Sequence, residues 1–362
     1  MITYCTNIHP GESWEETFST LRRHLPAIKS EFSSVEPFPV GLRLSRRAAM
    51  ELDQVAESRF LEWLQRHELF VPTINGFPYG SFHSARVKEL VYLPDWRQPE
   101  RVEYTTRLVT LLDRWLPVGL QGSVSTVPVC FGKTLPKEEL AVVRSNLLRT
   151  LEHLDCLRQR SGKSIILSLE PEPGCLLETT EEVVWFFERM AFPDSLRTML
   201  GICLDCCHQA VEFEEPAACL EHLADADIPV GKIQISSALR MLDPDRTLLE
   251  RFCEPVYLHQ TVIRDREGMI RRYDDLPAAL RLHPAAQGDE WRVHFHLPIF
   301  VEQMPQYGTT RCFIDTLIPH VDDTVLLEVE TYTWDVLPPE LRAETVDQSI
   351  VRELLWLKGH KG

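Results

Sequence analysis

Short apolar segments alternate along the chain with longer segments in which apolar residues recur at the spacing of a helix. The short segments are apolar throughout, which is typical of parallel strands that are buried on both faces. Eight of them are predicted as strands: residues 2–8, 41–44, 69–75, 122–129, 164–170, 200–205, 230–236 and 324–330.

The segments between these strands carry helix signals. Two of them begin with a capping box, in which Ser13 or Thr179 is followed three residues later by a glutamate. The others show apolar residues at a helical period. Helices are predicted over residues 13–32, 46–67, 137–160 and 179–190.

The strict alternation of strands and helices predicts one α/β domain, residues 1–362, folded as a (β/α)₈ TIM barrel. A doubly wound open sheet is the alternative. It is disfavoured because no glycine-rich phosphate loop follows the first predicted strand.

Two stretches interrupt the alternation. Residues 76–99 are rich in aromatic residues, glycine and proline, and are predicted as an ordered, functional loop. The interval before the last strand is unusually long, and an insertion is predicted over about residues 241–323. It contains a hairpin-like turn at residues 264–268. Further strands are predicted within it at residues 256–263, 269–273 and 292–299.

The formal net charge is −16, which disfavours nucleic acid and anionic lipid as partners. The N-terminus lacks the basic and apolar regions of a signal peptide, and the longest apolar runs have strand length, so no stable membrane insertion is expected. Ten cysteines without a regular frame are expected to be reduced thiols. We therefore expect a cytoplasmic protein; its oligomeric state is left open.

Candidate ligands fall at the ends of the predicted strands. Barrel enzymes place their chemistry at the C-terminal ends of the strands, where the following loops form the site. Several carboxylates converging there would repel one another, and a divalent cation would relieve that repulsion. The strand-end candidates are His9, Asn75, Glu170, Asp205, Gln234 and Glu330.

Three of these positions have further support. Prolines follow Glu170 directly and end its strand, and Glu172 has the same parity. Asp205 precedes His208 by three residues, close enough for a shared ion or a hydrogen bond. Glu328 and Glu330 have equal parity in the last predicted strand, so both side chains should point into the barrel.

Histidines supply the remaining candidates. His294 and His296 share one face of a short predicted strand, and His259 lies in a similar segment. His83 lies in the aromatic loop and faces either substrate or solvent. The sequence leaves open which of His259, His294 and His296 completes a metal site.

The order of these residues resembles the xylose-isomerase-like barrel superfamily of sugar isomerases, ketose 3-epimerases and apurinic endonucleases. The match consists of a strand-five glutamate, an Asp-x-x-His after strand six, a later arginine and a strand-eight glutamate: Glu170, Asp205, His208, Arg240 and Glu330. The chain departs from the pattern at strand seven, where Gln234 replaces the usual histidine. Glutamine can still offer a carbonyl oxygen to a hard cation.

Four motifs resemble more narrowly the EboE family of metabolite traffic proteins: TNIHPGESW at 6–14, NGFPYGSFH at 75–83, LEPEPG at 169–174 and LEVETYTWDVLP at 327–338. The resemblance implies an isomerase-type barrel encoded beside a UbiA-like prenyltransferase, and hence a functional link to that enzyme. Substrate contacts are expected from His9, Asn75, Phe77, Tyr79, His83, Glu172, His259 and Trp334.

The leading hypothesis is a metal-dependent isomerase or epimerase of a small polyhydroxy or hydroxy-carbonyl metabolite. Its metal ligands are expected among Glu170, Asp205, Gln234, His296 and Glu330. Oxygen ligands favour Mn²⁺ or Mg²⁺, and histidines favour Zn²⁺ or Fe²⁺. Catalytic roles are expected for Glu170, Glu330, His208 and Arg240. The alternatives are a non-catalytic metabolite carrier and a metal-dependent hydrolase of the endonuclease branch.

Overall fold

A computed structural model describes residues 1–33, 35–83, 87–342 and 344–361. Its strands are β1 Ile2–Tyr4, β2 Phe38–Arg43, β3 Leu69–Asn75, β4 Gln121–Thr126, β5 Ser164–Leu169, β6 Leu200–Asp205, β7 Val230–Ile235, β8 Ser237–Leu242, β9 Thr261–Arg264, β10 Ile270–Tyr273, β11 Glu290–Leu297, β12 Gly308–Thr309 and β13 Leu327–Val329.

Its α-helices are α1 Trp14–Phe32, α2 Arg46–Glu51, α3 Gln54–Arg66, α4 Pro99–Trp115, α5 Lys137–Ser161, α6 Thr180–Met190, α7 Asp194–Arg197, α8 Cys206–Val211, α9 Pro216–Asp225, α10 Arg246–Glu250, α11 Leu276–Leu282, α12 Arg311–Leu317 and α13 Val346–Lys361. Short 3₁₀ helices span Thr6–Ile8, Lys88–Tyr92, Ile318–His320, Trp334–Val336 and Pro339–Leu341. Among the described residues, no helix has the length and apolar character needed to cross a membrane.

Eight parallel strands form a nearly closed barrel in the order β1-β13-β7-β6-β5-β4-β3-β2. A parallel bridge between Cys5 and Gly41 joins the first strand to the second. Threonine hydroxyls add to this seam, because the Gly41 and Arg43 amides donate to Oγ1 of Thr3 and Thr6 at 3.1 Å and 2.9 Å. The prediction of a TIM barrel is confirmed.

The eight predicted barrel strands are all present, but two are less than half as long as expected. β1 ends at Tyr4 because the chain then forms the 3₁₀ helix Thr6–Ile8. β13 spans only Leu327–Val329. The prediction of one helix over residues 46–67 is wrong: the segment forms α2 and α3. Asp53 separates them, since its side chain accepts from the Ala56 amide and caps the second helix.

The barrel interior holds a buried ion pair. Lys232 of β7 and Glu328 of β13 are both fully buried, and the ammonium group donates to the carboxylate. Gly41 makes room for this pair, because a Cβ at that position would overlap a Glu328 carboxylate oxygen and the Tyr4 carbonyl oxygen. Glu328, which was predicted to point into the barrel together with Glu330, is therefore neutralised by Lys232.

The inserted segment begins at Ser237, immediately after β7, rather than near residue 241. Its antiparallel sheet has the order β10-β9-β11-β8-β12. This sheet encloses its own apolar cluster, which includes Phe252, Trp291 and Phe295. The register between β11 and β8 shifts between Val293 and His296. The insertion thus adds a second small core beside the barrel and carries two histidines on β11.

Candidate metal centre and cavity

A cavity of about 60 Å³ lies where the C-terminal ends of the barrel strands meet. Its polar lining consists of Asn7, Asn75, Lys88, Glu170, Glu172, His208, His294 and Glu330. The apolar and aromatic lining consists of Phe77, Pro78, Phe82, Val87, Val91, Tyr92, Tyr257, Leu258 and Tyr332. The cavity therefore has a charged end inside the barrel mouth and an apolar wall formed largely by the loop after β3 and the insertion.

Three carboxylates from different strands form one group at this mouth. Glu170 follows β5, Asp205 ends β6, and Glu330 follows β13. One oxygen from each lies within 4.8 Å of the others, and all three side chains are buried. Such a group is costly without a compensating charge, because carboxylates at this separation repel one another in a medium of low dielectric.

The oxygens of this group are incompletely satisfied. Glu170 Oε2 and Asp205 Oδ2 are buried and have no hydrogen-bond partner among the described residues. Buried polar atoms are normally hydrogen-bonded, and exceptions require an explanation. Hard divalent cations bind carboxylate oxygens. The residues present therefore fit a divalent cation.

The protonation of the three carboxylates differs. Burial raises the pKa of Glu170 to about 8, with repulsion from Asp205 adding to the effect. Burial, followed by repulsion from Glu170 and Asp205, raises the pKa of Glu330 well above its usual range. Burial acts to raise the pKa of Asp205, but attraction to His208 and His296 and the hydrogen bonds that the carboxylate accepts outweigh it, so the pKa is lowered. Burial and mutual repulsion thus favour the protonated forms of Glu170 and Glu330 in the metal-free group, and a bound cation would displace those protons.

Two asparagines orient Glu330. The Asn7 side-chain amide donates to Glu330 Oε1 at 2.5 Å, and Asn75 Nδ2 lies 3.5 Å from the same oxygen. Asn75 Oδ1 also accepts from the Phe77 amide at 3.1 Å, which links this contact to the loop after β3. Both asparagines occupy one oxygen of Glu330 and so fix the direction of its carboxylate.

Glu353 of α13 forms hydrogen bonds to the segment that follows Glu330 and to the insertion. Its Oε1 accepts from Thr331 Oγ1 at 2.7 Å and from the Ile299 amide at 3.0 Å. Burial raises the pKa of Glu353 to about 7. The raised pKa means that the folded protein holds the Glu353 proton more tightly than the unfolded chain does. The resulting stabilisation of the fold is fully present below about pH 4.5 and is lost as the pH rises through about 7.

Replacing Glu353 with glutamine is expected to stabilise the protein at pH 8 and to change little at pH 5. The glutamine oxygen can accept both hydrogen bonds, and the amide cannot ionise. Urea unfolding at the two pH values measures the effect. Glu221→Gln, at an exposed position of α9, is the matched control and should stay within about 0.5 kcal/mol of wild type. A loss of stability at pH 8 for Glu353→Gln would contradict the prediction.

Glu172 also lines the cavity. Its Oε1 accepts from the Tyr92 hydroxyl at 2.7 Å and from Gln260 Nε2 at 3.2 Å. The same oxygen is 3.5 Å from His294 Nδ1. Burial raises the pKa of Glu172. This carboxylate therefore connects the loop after β5 to the histidines of the insertion.

Two residues predicted at the site lie outside the cavity lining. Gln234 is aligned with Asp205 on one side and Glu328 on the other, and its Oε1 accepts from Cys203 Sγ at 3.1 Å. Arg240 lies on β8, where its guanidinium pairs with Glu290 at 2.7 Å. The chain enters the inserted sheet directly after β7, which carries Arg240 away from the barrel mouth.

Seven other candidates also lie outside the lining. Two of them, Asp205 and His296, have ligand atoms within 4.8 Å of those of the lining residue His208. His9 contacts the Tyr4 hydroxyl and stacks on His24 at a ring distance of 4.2 Å. His83 supports the cavity indirectly, because its Nε2 is 2.6 Å from the Asn7 carbonyl oxygen. The remaining positions that do not line the cavity are Tyr79, His259 and Trp334.

Several lining residues were missed at the sequence level. Asn7 and Tyr332 lie in motifs that also contain His9 and Glu330, and no sequence pattern distinguishes them from their neighbours. Tyr92 and Tyr257 lie in irregular segments without a periodic signal. Gln260 is adjacent to His259, and only the folded chain shows that it bridges Glu172 and His294.

The chain is similar in structure to several solved barrels. An L-ribulose 3-epimerase matches with a TM-score of 0.53 and 12% identity, over 99% of this chain and 93% of that chain. The IolI protein with a bound zinc atom matches with a TM-score of 0.52 and 14% identity, over 99% and 97%. A xylose isomerase-like TIM barrel protein from Mycobacterium smegmatis in complex with magnesium matches with a TM-score of 0.55 and 11% identity, over 100% and 97%.

In comparisons of sequence, no family model and no curated protein matches the chain. The structural likenesses show that the chain has the xylose-isomerase-like TIM-barrel fold.

Proposed function

We propose that the protein is a metal-dependent isomerase or epimerase of a small polyhydroxy or hydroxy-carbonyl metabolite. The observation that carries the proposal is the buried group of Glu170, Asp205 and Glu330, in which two carboxylate oxygens lack partners among the described residues, at the inner end of the cavity. Structural neighbours of this fold include ketose 3-epimerases, which agrees with the proposal.

A divalent cation held by these carboxylates would supply electrophilic stabilisation to a substrate oxygen. The protein's own residues would do the remaining work. Glu170 and Glu330 approach the cavity from strands that lie three positions apart around the barrel. With the cation bound, both carboxylates would be ionised, so either would be able to accept a proton from a substrate carbon and return it. Glu330 is held in position for this role by Asn7 and Asn75.

The apolar wall excludes water from the reacting end. Phe82 packs against Tyr257 and Tyr332 at ring distances of 5.4 Å and 5.2 Å. Phe77 packs against Tyr92 at 5.8 Å. Such a wall favours a substrate that presents a carbon face on this side and its oxygens to the carboxylates.

The motifs shared with the EboE family extend the proposal to metabolite traffic, with a functional link to a UbiA-like prenyltransferase. Each of the four motifs contributes to the cavity lining: Asn7 from the first, Asn75 from the second, Glu170 from the third and Glu330 from the fourth. Because all four motifs line one cavity, we expect the proteins that share these motifs to bind the same ligand.

The proposal is tested by incubating the Mn²⁺-loaded protein in D₂O with D-allulose, D-fructose and L-ribulose, and with a wider panel of hydroxy-carbonyl compounds. We expect deuterium to enter the substrate at a carbon next to the carbonyl group, because Glu170 or Glu330 exchanges its proton with solvent. Glu330→Gln should reduce the rate by roughly 10²–10⁴-fold.

The alternative function, carriage of a metabolite without turnover, predicts a different result. A compound would raise the unfolding temperature of the protein while taking up no deuterium and giving no product. That outcome across the panel would contradict catalysis and support the carrier.

A further inference from the structure

Three buried histidines converge beside the carboxylate group. His294 Nε2 on β11 lies 3.1 Å from His208 Nε2 on α8 and 3.2 Å from His296 Nε2 on β11. The three residues are at most 3% exposed. The insertion and the barrel therefore place His294 Nε2 within 3.2 Å of both of the other ring nitrogens.

The protons on these rings can be assigned from their other contacts. His208 Nδ1 is 2.9 Å from the Pro171 carbonyl oxygen, and His296 Nδ1 is 2.9 Å from the Glu330 carbonyl oxygen. A carbonyl oxygen can only accept, so both Nδ1 atoms carry the ring hydrogen.

The same assignment holds for His294. Its Nδ1 is 2.8 Å from Gln260 Oε1. The orientation of the Gln260 amide is fixed by its nitrogen, which is 2.8 Å from the Pro173 carbonyl oxygen and 3.2 Å from Glu172. Because both of these partners accept, the amide nitrogen faces them and the amide oxygen faces His294.

A neutral imidazole carries one ring hydrogen, so each of the three Nε2 atoms presents a lone pair. Neutral rings in this arrangement cannot hydrogen-bond to one another through Nε2, and among the described residues only the lone pair of His294 has another donor nearby, the Tyr332 hydroxyl at 3.3 Å. A positive charge between the rings, carried by a metal ion or an added proton, would make the cluster favourable.

The geometry points to a metal ion. Tetrahedral nitrogen ligands of Zn²⁺ at about 2.0–2.1 Å lie roughly 3.3 Å apart, close to the two separations between the ring nitrogens. Metal-binding histidines usually donate the other ring N–H to a carbonyl or amide oxygen, as all three do here.

We propose that His208, His294 and His296 bind a second divalent cation of the Zn²⁺ type, in addition to the cation at Glu170, Asp205 and Glu330. Nitrogen ligands favour such ions, whereas the three carboxylates favour harder ones. Asp205 lies between the two sites, since its oxygen is within 4.8 Å of ligand nitrogens of His208 and His296.

Two further groups approach this second site. Cys207 Sγ lies within 4.8 Å of ligand nitrogens of His294 and His296. The Tyr332 hydroxyl is 3.3 Å from His294 Nε2. Because His208, His294 and Tyr332 also line the cavity, a ligand in the cavity can reach the second cation.

The proposal is tested by titrating the metal-free full-length protein with Co²⁺ and recording both stoichiometry and visible absorption. Four-coordinate Co²⁺ with nitrogen ligands absorbs much more strongly than six-coordinate Co²⁺ with oxygen ligands. We expect about two equivalents in wild type. His294→Gln should lose about one equivalent together with the strong absorption, and Glu330→Gln should lose one equivalent and keep it.

His320→Gln, at an exposed position of the 3₁₀ helix Ile318–His320, is the matched control and should behave as wild type. His296→Gln is the second variant if His294→Gln does not fold. A wild-type protein that lacks the strong absorption at saturating Co²⁺ would overturn the proposal and favour a proton in the cluster. Strong absorption that persists in His294→Gln or His296→Gln would also overturn it. Because Glu330→Gln removes only the carboxylate site, the two sites can fail separately.

Discussion

Glu330→Gln is expected to abolish most of the stabilisation that a divalent cation gives the protein, while the metal-free variant stays at least as stable as wild type. At a free cation concentration of about 1,000 times its Kd, binding stabilises the wild type by roughly 4 kcal/mol. Loss of an outer partner of a metal ligand weakens binding about 10–100-fold, and loss of a ligand should cost more. At least about 2.7 kcal/mol of the stabilisation should therefore disappear.

The metal-free variant should fold normally because burial already raises the pKa of Glu330 well above its usual range. Glutamine mimics the protonated side chain, and its oxygen can still accept from Asn7. Urea unfolding with and without Mn²⁺ measures both quantities. Glu221→Gln, with the same charge change at an exposed position, should respond to Mn²⁺ as wild type does. An undiminished response in Glu330→Gln would remove this carboxylate from the metal site.

Lys232→Met is expected to destabilise the protein by about 3–5 kcal/mol, the usual cost of leaving one charge of a buried pair without its partner. Lys232 and Glu328 are both fully buried inside the barrel. After the substitution, Glu328 either keeps an uncompensated charge or takes up a proton, and both are unfavourable at neutral pH. The free energy of unfolding in urea measures the change.

The double variant Lys232→Met/Glu328→Met is the control for this prediction. Apolar replacement of a whole buried pair is often neutral or stabilising, so the second substitution should recover most of the loss. If the double variant is less stable than Lys232→Met alone, the cost arises from packing and the electrostatic explanation is wrong.

The barrel could be predicted from sequence because its strands are short apolar runs separated by helices with clear caps. The carboxylates could be predicted for the same reason, since Glu170, Asp205 and Glu330 follow or end such runs. Parallel strands bring their C-terminal ends to one edge, and this topology places the three side chains in one group.

The order of residues along the chain predicted two candidates, His9 and Arg240, at the cavity, and the structure places both outside its lining. His9 was predicted because it follows the first predicted strand, residues 2–8, but the chain forms the 3₁₀ helix Thr6–Ile8 there, and Asn7 reaches Glu330 instead. Arg240 follows Gln234 by six residues, as in the resembling superfamily. The chain, however, turns into β8 after Ile235, and Arg240 pairs with Glu290 in the inserted sheet.

The histidine cluster depends on contacts between distant parts of the chain. The equal parity of His294 and His296 was visible in the sequence, but their proximity to His208 was not. It arises because β11 pairs with β8 through a register shift, which places its end over the barrel mouth. No local pattern encodes that pairing.

The most direct test of the central claim is anomalous diffraction from crystals of the full-length protein grown with Mn²⁺. The account predicts a strong anomalous peak at the barrel mouth, within bonding distance of carboxylate oxygens from Glu170, Asp205 and Glu330. A fully loaded crystal without a peak at these three side chains, or with peaks only at surface carboxylates, would contradict it.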